Sequence, residues 1–87
     1  MFDVVIAQRA RKSSKKLPEK FKGKIVELLL MLRENPVPAE YYDVKKLKGH
    51  ADTFRVRIGD FRIIYEISWD KSAVRILYIG SRESAYS

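Results

Sequence analysis

Apolar positions recur along this chain in two rhythms. Phe2, Val4, Val5, Ile6 and Ala7 form a short β-branched run that predicts an N-terminal strand over Phe2 to Ala7. Gln8 to Leu17 is polar and helix-compatible, and Pro18 either ends that helix or opens the next. From Pro18 to Asn35, the residues Phe21, Ile25, Leu28, Leu29 and Leu32 recur at spacings that keep them on one side of a helix, which predicts a single buried stripe. Asn35-Pro36-Val37-Pro38 stops that helix, because the proline ring removes a donor and clashes with the preceding turn. Beyond it the period falls to two, and strands are predicted over Tyr41 to Leu47, Thr53 to Ile58, Phe61 to Ser68 and Ala73 to Ile79. One strand, two helices and a succession of strands is an α+β layout, with antiparallel strands in one sheet and the helices on one face. No repeat, low-complexity tract or linker interrupts residues 1–87, so one domain is expected.

The sharpest local signal is Gly59-Asp60, set between two alternating strands. A two-residue loop opening with glycine suits a type II′ hairpin. Counting outward places Ile58 opposite Phe61, Arg57 opposite Arg62, Val56 opposite Ile63, Arg55 opposite Ile64 and Phe54 opposite Tyr65. The two-residue period then sends Phe54, Val56, Ile58, Phe61, Ile63 and Tyr65 to one face. Arg55, Arg57, Arg62 and the apolar Ile64 go to the other. Like charges at opposed positions repel, so solvation of an open face explains one arginine better than three. Guanidinium forks match phosphate oxygens, and a phosphate-binding face is the functional reading.

Charge sharpens this picture. Eighteen Lys and Arg against eleven Asp and Glu give a net charge of +7. Residues 1–24 carry +6, residues 25–44 carry −3 and residues 45–87 carry +4. Two basic blocks therefore flank an acidic middle, and the excess suits a polyanionic partner. Arg11, Lys12, Lys15 and Lys16 in the first block read either as a solvated helix face or as general attraction to RNA. Lys45, Lys46 and Lys48 read as sequence-independent backbone contacts beside the arginine face.

Absent chemistry narrows the classes further. The chain has no Cys and a single His, His50, so disulfides, thiolate zinc sites, a Cys nucleophile and a multi-His metal site are excluded. His50 follows Gly49 in a loop and reads as solvated; no metal or cofactor is implied. The longest apolar run, Leu28 to Leu32, is far short of the roughly 18 residues of a transmembrane helix. No segment resembles a signal peptide, so the expected location is the cytoplasm.

The chain resembles the RelE/ParE superfamily of toxins from type II toxin–antitoxin pairs. The resemblance rests on Lys46-Leu47-Lys48-Gly49, on the block from Phe54 to Ile67, on Ile79-Gly80-Ser81-Arg82-Glu83 and on Ala85-Tyr86. The central block has the form aromatic-basic-x-basic-Ile-Gly-Asp-aromatic-Arg-x-x-Tyr. The terminal Arg82 and Tyr86 are similar to the RelE branch, whose toxins cut messenger RNA in the ribosomal A site. The resemblance implies catalytic roles for Arg55, Arg57, Arg62, Arg82 and Tyr86, and a cognate acidic, RelB-like antitoxin as partner alongside ribosome and mRNA. It also keeps two alternatives open: a ParE-like, non-enzymatic inhibitor of DNA gyrase, and an RNA- or ribosome-binding module without catalysis.

Arginine stays protonated, with a pKa above about 12, so these groups can stabilise phosphoryl charge far better than they can abstract a proton. Tyr86 reads as a weak base, as a platform for a nucleotide base, or as a residue packed on the sheet. Cleavage built from such groups depends on positioning, and activity on free RNA is expected to be poor.

Overall fold

The computed structural model describes residues 1–49 and 52–81. Its elements are β1 (Asp3–Ile6), α1 (Gln8–Ser14), α2 (Glu19–Glu34), β2 (Asp43–Lys46), β3 (Thr53–Ile58), β4 (Phe61–Ser68) and β5 (Ala73–Ser81). The predicted strands of the central hairpin, Thr53 to Ile58 and Phe61 to Ser68, are observed with those bounds.

Other boundaries move for local reasons. The first helix stops at Ser14 rather than Leu17. Ser13 and Ser14 turn their hydroxyls back onto the carbonyls of Arg9, Ala10 and Arg11, and the N–H groups of Lys15, Lys16 and Leu17 make tighter three-residue bonds. The strand expected from Tyr41 begins at Asp43 because the N–H groups of Tyr41 and Tyr42 both donate to the Pro38 carbonyl. In α2, Ile25, Leu28 and Leu32 are buried as the spacing predicts, while Phe21 and Leu29 flank them half-buried.

The sheet order is β1-β5-β4-β3-β2. Pairing from β2 through β5 is antiparallel, but β1 joins β5 in parallel, with Val4 beside Val74 and Ile6 beside Ile76, and the sheet is therefore mixed. Within the hairpin the register is the one counted from the turn, and Gly59 takes the left-handed φ of +57° that a type II′ turn needs at its first position.

Both helices pack on one face of this sheet. Ala10, Leu17, Ile25, Leu28 and Leu32 meet Val56, Ile63, Tyr65, Val74, Ile76 and Ile79 in a single core. Each fully buried aliphatic side chain of this kind stabilises by about 1.5–3 kcal/mol. Phe21 of α2 stacks edge-on against Phe61 at 4.4 Å and lies over the hairpin turn. Tyr65 spans the core and donates its hydroxyl to the Pro36 carbonyl at 2.8 Å, tying the central strand to the proline stop of α2. Burial holds the Tyr65 phenol well above the ordinary tyrosine range. Among the described residues, no helix is long and apolar enough to cross a membrane.

Candidate functional site

The face opposite the helices is organised by the strand registers into rows. One row reads Asp43 (β2), Arg57 (β3), Arg62 (β4) and Gly80 (β5). The next, two residues along, reads Lys45, Arg55, Ile64 and Tyr78. A third begins with Thr53, Glu66, Arg75 and ends at Val5 on β1. The three arginines expected on one face are therefore brought together on it, with Ile64 among them.

They are not equivalent. Arg55 is only 7% exposed, and its Nη2 donates to Asp43 Oδ1 at 3.0 Å. Arg62 is 2% exposed. The side chain of Arg57 is 40% exposed, with Nε 3.9 Å from Asp43 Oδ2. A guanidinium withdrawn from water needs a partner to offset several kcal/mol of desolvation. Asp43 supplies one for Arg55 and reaches toward Arg57 as well, so one carboxylate relieves part of the like-charge repulsion. Sequence reading missed Asp43. It lies in the acidic middle segment, and its place on β2 beside β3 depends on a connection whose length is not set by a tight turn. Arg57 is left as the guanidinium that a phosphate can reach without displacing protein, while Arg55 carries a structural tie.

Tyr78 lies on the arginine face, opposite Ile64. Ile64 pairs with Tyr78 and Tyr65 with Ile76, so Leu77 is an extra residue and β5 bulges. Without the bulge, Val74, Ile76 and Tyr78 would share the core face. With it, parity reverses: Ile79 enters the core, and Tyr78 and Gly80 join the arginine face. The Tyr78 phenol fills the space that a side chain on Gly80 would occupy, its Cζ 2.6 Å and Cε2 2.8 Å from where a Cβ would sit. Glycine is thus required there by close approach of the ring.

The lysines divide. Lys45 stands opposite Arg55 on the same face, whereas Lys46 stands opposite Phe54 and belongs to the helix side. That corrects the grouping of the two; the alternation of a strand separates neighbours. Lys48 lies in the following turn and is exposed. Arg11, Lys12, Lys15 and Lys16 are exposed on or just beyond α1, in the layer across the sheet from the arginines. Arg11 and Lys12 occupy the last turn of that helix, where positive charge is favoured by its dipole. Arg82, Tyr86 and His50 lie outside the described residues.

A basic, arginine-centred sheet face with two helices behind it corresponds to a known family. Residues 4–86 match the sequence profile of the ParE toxin of type II toxin–antitoxin system, parDE, and the chain belongs to this family of toxins. Within the wider RelE/ParE superfamily it falls in the RelE branch. It is 44% identical over 85 residues to the candidate toxin RelE1 of Methanocaldococcus jannaschii, covering 98% of this chain and 94% of that one. Its fold matches the archaeal RelE–RelB complex of Pyrococcus horikoshii with a TM-score of 0.85 and 34% identity, over 93% and 94% of the two chains. The RelBE2 toxin–antitoxin complex of Mycobacterium tuberculosis aligns at a TM-score of 0.77 and 29% identity, over 93% and 98%.

Proposed function

We propose that this toxin is a ribosome-dependent endonuclease that cuts messenger RNA in the A site and so inhibits translation. The observation that carries the reading is Arg57 opposed to Arg62 on the open sheet face, with Arg57 accessible and Arg55 held beside it. In the proposed reaction the 2′-hydroxyl attacks the adjacent phosphorus, the bond to the 5′-oxygen breaks, and a 2′,3′-cyclic phosphate forms. A proton leaves the attacking hydroxyl and one reaches the departing oxygen. Arg57, the accessible guanidinium, stabilises charge on the phosphoryl oxygens, and buried Arg62 opposite it adds to the positive potential of the face. Arg82 and Tyr86 are assigned to the same centre on the strength of the family resemblance. None of the arginines is a competent base, so the rate depends on alignment, which the ribosome provides.

The proposed partner is a RelB-like antitoxin, by analogy with the related RelE–RelB complex of Pyrococcus horikoshii and the RelBE2 complex of Mycobacterium tuberculosis. An acidic chain wrapped over a toxin of net charge +7 neutralises it as it folds on binding. The experiment is a brief induction of the toxin with transcript 5′ ends mapped across the cell, beside a gyrase supercoiling assay on the purified protein. New 5′ ends inside translated codons support the nuclease. Intact transcripts together with blocked supercoiling replace it with the gyrase inhibitor.

A further inference from the structure

We propose that Tyr78 and Ile64 form a platform that receives one base of the RNA whose phosphate Arg57 of the same face holds; the inference rests on the nuclease reading above. The two residues are register partners on β5 and β4, on the arginine face and away from the core. Directly opposed side chains stand about 4.5–5.5 Å apart at Cβ, so the two apolar groups start side by side on this face. Along β4 the next residue on this face is Arg62, about 7 Å away by strand geometry, and Arg55 stands opposite Ile64 on β3.

An apolar patch set inside a cationic face needs an explanation, because an open sheet face binding only phosphates gains nothing from an isoleucine and a tyrosine at its centre. A nucleotide combines both requirements: an anionic phosphate and, one sugar away, a flat apolar base. Aromatic side chains hold single-stranded bases by stacking, with little regard for their identity. The backbone shows two arrangements that keep the ring in place. The extra residue Leu77 turns Tyr78 out of the core, and Gly80 leaves open the space into which the phenol leans. Tyr78 remains half-buried, so the ring is anchored on the sheet while part of it faces solvent.

The test uses ribosomes programmed with a message whose A-site codon carries 2-aminopurine and 2′-deoxyribose, which cannot undergo 2′-hydroxyl attack. Stacking on Tyr78 quenches the 2-aminopurine. Wild type and Tyr78→Phe are expected to quench to the same extent, and Tyr78→Ala to bind about ten- to a hundredfold more weakly. On unmodified message Tyr78→Ala is expected to raise KM more than it lowers kcat. Melting curves identify loss of fold, and Ile64→Ala provides a second variant on the other half of the platform. Equal quenching by wild type and folded Tyr78→Ala overturns the assignment, as does a wild-type toxin that leaves the fluorescence unchanged. Failure of wild type to cleave unmodified message, with quenching intact, overturns the nuclease reading alone.

Discussion

The Asp43 carboxylate accepts a hydrogen bond from the Arg55 guanidinium at 3.0 Å, diagonally across the β2–β3 ladder, while its other oxygen lies 3.9 Å from Arg57. One carboxylate on the edge strand therefore steadies the two β3 arginines of this face without neutralising it. Asp43→Asn is expected to lower stability by about 1–2 kcal/mol, the value of a charge-assisted hydrogen bond reduced because Asp43 is half-exposed. It also frees charge for RNA, so the slope of log affinity against log salt is expected to steepen by nearly one unit. Urea titration and binding across a salt series check both; an unchanged midpoint and slope contradict the role given to Asp43.

Gly59 adopts a φ of +57°, and a Cβ there would sit 3.1 Å from Phe21 Cε1. Gly59→Ala is therefore expected to cost about 1–2 kcal/mol for left-handed backbone, with a further contribution from the crowded ring. In a chain this short that lowers Tm by about 5–15 °C. A melting temperature within a degree of wild type would show that the hairpin turn does not hold the register.

The Tyr65 phenol, buried and bonded to the Pro36 carbonyl, holds its proton more tightly in the folded state than in the unfolded one. Its contribution to stability is present in full below about pH 10, where the unfolded phenol is neutral, and is lost as pH rises beyond that value. Tyr65→Phe is expected to cost about 1–2 kcal/mol at pH 8. The gap between wild type and variant is expected to narrow by pH 11. Chemical denaturation at the two pH values decides, and a gap that stays constant contradicts the coupling.

How much of this was legible in the sequence depended on distance along the chain. The hairpin register followed from Gly59-Asp60, because a two-residue turn leaves no freedom in the pairing. The buried stripe of α2 followed from its spacing. The pairing of β1 with β5 joins residues about seventy positions apart and leaves no local trace. The bulge at Leu77 is a single added residue in an apolar run, where either parity keeps apolar side chains in the core, so the outward turn of Tyr78 was invisible. Asp43 could have been found by pairing β2 against β3, had the strand been started after the turn held by Pro38. Lys45 and Lys46 read alike in composition and differ only in parity, which required the register.

The most direct test of the account is cleavage on purified, mRNA-programmed ribosomes by wild type and by Arg57→Ala. Arg57 is the variant of choice because it is exposed, whereas replacing Arg62, at 2% exposure, also disturbs folding. Wild type is expected to cut within the A-site codon and leave a 2′,3′-cyclic phosphate. Arg57→Ala is expected to cut about a hundredfold more slowly with an unchanged melting temperature, as when one preorganised donor is lost. Message left intact by wild type, or cut equally well by folded Arg57→Ala, would contradict the claim that the opposed arginines of this sheet face are the site of phosphoryl transfer.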